Sequence, residues 1–154
     1  LRAESLGLQT GNIPQSIAFK GARDKLSFFG AMMVHEIRSW YTNPTARNML
    51  EKMLRFGYGR DDCRVINYWD ADPPLTVSDD ACKWLLLVRG DQALTLLCMW
   101  NEQPEEVQMS FDAHQLPVRR GQDAVTNQAL RLNKGEATVK MKGYGTRLLQ
   151  FRVR

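Results

Sequence analysis

The chain has 154 residues, with 44% hydrophobic residues, 25% charged residues and a formal net charge of +4. The length is about one domain's worth of chain and the composition is ordinary for a globular protein, which excludes a disordered tail, a collagen and a disulfide-stapled miniprotein. No apolar run approaches the roughly 18–20 residues a membrane helix needs, and no apolar stretch follows a basic start as a secretory signal would require.

The first residue is Leu1 rather than Met, so a piece of a longer protein is expected. Charge is uneven along the chain. Residues 1–64 carry 10 Lys/Arg against 6 Asp/Glu, whereas residues 65–154 carry 11 of each. The excess is scattered, and the longest basic run is Arg119–Arg120. A nucleic-acid binder concentrates its basic residues in a stripe interleaved with stacking aromatics, so no nucleic-acid partner is expected. Cys63, Cys82 and Cys98 have no CxxC spacing, and His35 and His114 have no second ligand close by in sequence. No metal or cofactor is expected from that pattern. Cys82 and Cys98 read as small core residues of strands, whereas Cys63 lies in a polar turn.

Arg2–Leu8 reads as a short helix end and Gly11–Pro14 as a loop. Leu26–Val34 is apolar throughout with no period of two. A strand covered on both faces has that texture, and so has a buried helix; periodicity alone does not separate them. The strand is the expectation. Asn43–Pro44 then offers an N-cap followed by proline at the first helical position. A helix over 44–56 follows, with Ala46, Met49, Leu50, Met53 and Leu54 as its apolar stripe and Gly57 or Gly59 as its stop.

After Arg64 the texture changes to short strand-like runs separated by turn residues. Val65–Trp69 is closed by Asp72–Pro73–Pro74. Cys82–Arg89 and Ala93–Asn101 flank a turn at Gly90–Asp91–Gln92, which predicts a hairpin. Three further runs, 107–111, 137–141 and 149–153, alternate apolar with polar residues as half-buried strands do. Cys82–Val88 is apolar on both faces and should be central. The expected fold is mainly β with an N-terminal α/β segment. It comprises a strand–helix unit over 1–64 followed by an antiparallel β-sandwich of Greek-key type, with seven or eight strands, over 65–154.

The second half carries a recognisable succession. A strand ends in Leu96–Leu97–Cys98–Met99–Trp100–Asn101, and the acidic turn Glu102–Gln103–Pro104–Glu105–Glu106 follows. The chain closes on Tyr144–Gly145–Thr146–Arg147–Leu148–Leu149–Gln150–Phe151. This resembles the C-terminal β-sandwich that follows the (β/α)8 barrel in glycoside hydrolases of the α-amylase and α-galactosidase kind. It departs from that pattern in the turn, where Trp100 precedes Asn101. The resemblance implies that residues 1–64 are the last unit of such a barrel. It also implies that the partners are a carbohydrate substrate or the upstream barrel, and that no catalytic residue of the superfamily lies in the sandwich.

Barrel active sites form at the C-terminal ends of the strands. A strand over 26–34 would therefore put His35, Glu36 and Arg38 at the rim, with Trp40 and Tyr41 in the loop above. These five are the candidate substrate-binding residues. His35 could bond a sugar hydroxyl or cap a buried backbone group. Glu36 has no convincing partner for the two-carboxylate chemistry of glycoside hydrolysis, so the chain alone is expected to be inactive. Trp40, Tyr41, Tyr68 and Trp69 are aromatics of the kind that stack on sugars, whereas Trp84 and Trp100 read as core. A Cys63–His35 dyad would need the two brought together by the fold. The alternative to an accessory domain is a free-standing carbohydrate-binding or protein-interaction module. Compartment, sugar and linkage are left open by the sequence.

Overall fold

The computed structural model describes residues 15–16, 25–39 and 43–154. The helix end expected at Arg2–Leu8, the loop at Gly11–Pro14, and Trp40 and Tyr41 lie outside the described residues. The elements run in the order β1 (Gln15–Ser16), α1 (Lys25–Met33), β2 (Arg38–Ser39), α2 (Pro44–Phe56), β3 (Arg64–Asn67), β4 (Leu75–Val77), β5 (Cys82–Arg89), β6 (Gln92–Met99), β7 (Glu105–Phe111), β8 (Val118–Asp123), β9 (Ala129–Leu130), β10 (Glu136–Met141) and β11 (Thr146–Val153).

Two antiparallel sheets form the sandwich. One has six strands in the order β3-β5-β6-β11-β8-β9, and the other has three in the order β10-β7-β4. The mainly β architecture with a helix-containing N-terminal segment is the one expected. β5 and β6 are central, and both of their faces are buried because each face has its own cover. Trp84, Leu86, Leu97 and Met99 face the three-stranded sheet, where Val107, Met109, Phe111, Val139 and Met141 meet them. Leu85, Leu87, Leu94, Leu96 and Cys98 point the other way, under α1 and α2, against Phe29, Met33, Met49 and Met53. The β5–β6 hairpin pairs Arg89 with Gln92 across Gly90–Asp91, and Gly90 takes a φ of +57° that favours glycine.

Among the described residues two buried side-chain oxygens lack a hydrogen-bond partner, and one of them is on β6. Thr95 is fully buried on β6, and its hydroxyl has no hydrogen-bond partner. Desolvating a hydroxyl without replacing its bond to water costs free energy. Thr95→Val keeps the shape and removes the orphan oxygen, so it should raise stability by about 1 kcal/mol. A lower urea midpoint for the valine variant would contradict this account.

The helix over 44–56 is as expected. Asn43 Oδ1 accepts from the backbone N–H groups of Thr45 and Ala46 at 2.9 and 3.1 Å. Ala46, Met49 and Met53 are buried, so the stripe packs on the sheet rather than offering an interaction face. Leu54 is the exception, turned to solvent at 52% exposure. The helix ends in a Schellman motif, with Tyr58 N–H on Met53 O, Gly57 N–H on Leu54 O, and Gly57 in the left-handed position.

The run 26–34 corrects the sequence reading: it is helix α1, not a strand. Its apolar residues surround the axis, so the run carries no amphipathic period. Phe29, Met33 and Val34 are fully or nearly fully buried against the sheet, and Leu26, Phe28, Ala31 and Met32 are half-buried. The strands of the N-terminal segment are the short β1 and β2, which pair in parallel on either side of α1 in sequence. The α/β character is therefore kept, with its strands displaced.

The closing phrase of the chain is explained by packing. Thr146 Oγ1 donates to the carbonyl of Leu26 at 3.1 Å, joining β11 to the first turn of α1, and the Ser27 hydroxyl bonds the Tyr144 carbonyl. Arg147 reaches across to Asp123. Tyr144 N–H donates to the Asn101 carbonyl at 2.8 Å, so the turn after β6 and the start of β11 support one another.

Candidate functional site

The residues after α1 meet the end of β3 in one polar and aromatic cluster. α1 closes with Ile37 N–H on Met32 O and Glu36 N–H on Met33 O, the same Schellman pattern that ends α2. Here the left-handed position is taken by Glu36, with φ +57°. A non-glycine residue there is disfavoured by its Cβ. Glu36 compensates through its carboxylate: Oε1 accepts from Asn67 Nδ2 at 2.9 Å. Asn67 also donates its backbone N–H to Asp70 Oδ2 at 2.9 Å. Its side-chain oxygen is buried and has no partner.

His35 is 2% exposed. Its Nδ1 lies 2.7 Å from the carbonyl of Ala31. A carbonyl only accepts, so Nδ1 carries the proton. Nε2 lies 3.1 Å from the Tyr68 hydroxyl, from which a neutral ring accepts. The ring stacks on Trp69 at 5.7 Å and leans on Trp100 at 5.4 Å, and Lys83 Nζ sits 5.0 Å from the centre of the Tyr68 ring. The contact to Ala31 ties the ring to backbone one turn upstream on α1. Glu36 is half-buried beside it. Arg38 lies on β2, whose backbone pairs with Gln15.

Sequence reasoning missed Asn67, which joins the two carboxylates, and it misplaced Trp100. Trp84 is core at 3% exposure, but Trp100 is 41% exposed. It stands just past the end of β6 and lines an apolar groove of about 340 Å3 with Ser27, Phe28, Ala31, Cys98, Met99 and Tyr144. A larger groove of about 860 Å3, with a mixed polar and apolar lining, lies between β10 and the segment around β9. Glu36 and Asp70 line neither groove.

All three cysteines are free and buried. Burial pushes the Cys82 thiol up to about 12 and the Cys98 thiol up to about 11. Burial also raises Cys63, which is 7% exposed rather than presented on its turn. Thiols held protonated are poor nucleophiles, and both ring nitrogens of His35 are engaged elsewhere, so no Cys63–His35 dyad forms. No group of three or more His, Cys, Asp or Glu side chains suited to a metal ion occurs among the described residues. No helix among them is long and apolar enough to cross a membrane.

No family model matches the chain, and no curated protein matches it. Solved structures do. The chain is similar to a GH27 β-L-arabinopyranosidase from Geobacillus stearothermophilus, with a TM-score of 0.56 at 8% identity over 84% of this chain and 31% of that one. It is similar to α-galactosidase I from Mortierella vinacea, with a TM-score of 0.54 at 12% identity over 85% of this chain and 36% of that one. It is also similar to the maltogenic α-amylase AmyB from Thermotoga neapolitana, with a TM-score of 0.55 at 11% identity over 94% of this chain and 42% of that one. All three are glycoside hydrolases, and the chain spans well under half the length of each. Likeness at such identity shows a shared fold.

Proposed function

We propose that the chain is the closing part of the catalytic barrel of a carbohydrate-active enzyme together with its accessory β-sandwich, and that this part alone lacks the full catalytic pair. One observation carries the reading. β1 and β2 are parallel neighbours with α1 between them, and α2 follows β2. Parallel strands joined through a helix are the repeating unit of a (β/α)8 barrel, which takes roughly 250 residues in all. The partial match to longer glycoside hydrolases supports the same reading. On this reading residues 1–64 belong with the barrel and residues 65–154 with the sandwich, the junction falling at the start of β3, where Arg64 already pairs with Val88.

The reading redistributes the five substrate candidates. Barrel chemistry gathers where strands end. With β2 at Arg38–Ser39, Arg38, Trp40 and Tyr41 are the candidates this reading keeps for substrate, because in sequence they lie on the strand or after it. His35 and Glu36 precede β2, and their contacts to Tyr68, Trp69 and Asn67 tie the barrel segment to the sandwich. Glycoside hydrolysis needs two carboxylates facing one bond across about 5–10 Å. Glu36 and Asp70 are instead both committed to Asn67, which supports an inactive fragment.

The purified chain is expected to release no nitrophenol from 4-nitrophenyl α-galactoside or 4-nitrophenyl β-L-arabinopyranoside above the buffer rate. Turnover by the chain alone would overturn the proposal. The exposure of Trp100 and of Tyr144, at 48%, beside the apolar groove favours a second reading, a free-standing sugar-binding module. Quenching of tryptophan fluorescence by a neutral sugar, lost in Trp100→Ala, would favour that second reading.

A further inference from the structure

We propose that the groove at the β9–β10 edge of the sandwich is a binding site for an acidic oligosaccharide, a uronate-containing chain. The choice of a saccharide over another polyanion rests on the proposed carbohydrate-active context. The groove itself is argued from its geometry and chemistry.

The groove exists because the chain changes sheets there. β9 pairs with β8 over only two residues, Gly121 with Leu130 and Gln122 with Ala129. The chain then crosses from the six-stranded sheet to the three-stranded one and turns between Asn133 and Glu136, with Lys134 and Gly135 at positive φ. The crossing segment stands off from β10 and leaves about 860 Å3 of open concave space, within the size range of ligand sites.

Its lining has a definite chemistry. Leu130, Leu132 and Ala137 supply apolar surface, and Gln108, Gln128 and Asn133 supply amides able to donate to and accept from hydroxyl groups. Arg131, Lys140 and Arg147 line it against a single carboxylate, Glu136. Arg147 is paired with Asp123 and Lys140 with Glu106, so Arg131 is the groove cation with no ion pair among the described residues.

The cations are not equivalent. Arg147 is fixed, with Nε and Nη2 on Asp123 at 3.0 and 2.7 Å and Nη1 on the Lys140 carbonyl at 3.2 Å. Lys140 meets Glu106 at 3.4 Å with both side chains largely exposed, a pair of small energetic worth. Arg131 is exposed and makes no ion pair among the described residues. A carboxylate-bearing ligand would therefore gain Arg131 and Lys140 without breaking a strong internal bond. No aromatic ring lines the groove, so the bases of a single-stranded nucleic acid would find no stacking surface, and a sugar would be held by the amides and cations rather than by stacking.

The test is an isotope-resolved amide titration of the chain with tetragalacturonate, and with maltotetraose and tetraglutamate as neutral and peptide controls. Saturable shifts at residues 108, 128–140 and 147 are expected with tetragalacturonate only. Affinity should fall severalfold when salt is raised from about 50 to 300 mM. Arg131→Glu with Lys140→Glu should weaken it by about tenfold or more. Arg119→Glu, an exposed charge reversal on β8 outside the groove, should leave it unchanged. Melting temperatures of the variants report whether they remain folded. No shifts at millimolar ligand, shifts elsewhere, or equal binding of tetraglutamate would each overturn the proposal. Such a failure leaves the accessory-domain reading standing, and turnover of an aryl glycoside would overturn that reading without touching this one.

Discussion

Asp123→Ala is expected to destabilise the fold by about 3 kcal/mol, because it removes the carboxylate of a partly buried ion pair and leaves backbone donors unpaired. For a chain of this size that corresponds to a fall in Tm on the order of 10 °C. The Asp123 side chain is 7% exposed and stands where β8 ends and the turn to β9 begins. Oδ1 accepts from the backbone N–H groups of Val125 and Thr126 at 2.9 and 2.8 Å, and Oδ2 accepts twice from Arg147. Removing the carboxylate orphans two turn donors and a half-buried guanidinium together.

The same residue predicts a pH dependence. Burial alone would raise the Asp123 carboxyl, but the Thr126 N–H, the Arg147 guanidinium and the Val125 N–H outweigh it and hold it below the ordinary carboxylate value. A carboxylate depressed in the folded state stabilises above its unfolded value, about 3.9. That contribution is lost as pH falls through the lower folded value. The stability gap between the wild-type chain and Asp123→Asn should thus be full at pH 5–7 and shrink below about pH 4. Urea unfolding at pH 6 and pH 3 measures it, and an unchanged gap would refute the assignment.

Gly30→Ala should destabilise by about 2–3 kcal/mol, although glycine-to-alanine in a helix interior ordinarily stabilises by about 1 kcal/mol. The reversal of sign is diagnostic. Gly30 is buried in α1 where the helix crosses β6 and β11, and a Cβ there would stand 2.2 Å from Thr146 Oγ1 and 2.8 Å from Cys98 Sγ. Thr146 cannot simply turn away, because its hydroxyl is bonded to the Leu26 carbonyl. Adding Thr146→Ala should therefore recover part of the loss. Simple additivity of the two substitutions in denaturant unfolding would show that they do not share one contact.

The two helices show why one element was legible and the other was not. α2 carries its own punctuation, with Asn43 and Pro44 at the start, Gly57 at the stop and a stripe of spaced apolar residues between. Each of those signals acts within a few residues. α1 ends in the same hydrogen-bond motif, yet Glu36 stands where glycine is usual, and it is held by Asn67, 31 residues later. With apolar residues all round and no glycine stop, the run 26–34 offered no local feature to separate helix from strand.

The site divides in the same way. His35 and Glu36 could be singled out by residue type, but their partners Tyr68 and Asn67 are distant in sequence and are brought to them by packing. Trp100 follows an apolar strand and reads as core, yet it stands one residue past β6, where the sheet ends and the groove begins. β8 was invisible for a related reason. Val118–Arg119–Arg120–Gly121–Gln122–Asp123 has no alternation, and it becomes a strand because β11 pairs with it and Gly121 admits the Phe151 ring, which a Cβ would approach within 2.7 Å.

By itself the sequence determined the mainly β character, the pairing of β5 with β6 and the whole of α2, because alternation, turn residues and helix caps act over short separations. Tertiary structure alone decided that 26–34 winds as a helix, that β1 and β2 lie parallel, and that the crossing after β9 opens a groove. Each of these depends on groups far apart in the chain meeting at van der Waals or hydrogen-bond distance, and short-range pattern carries no record of such meetings.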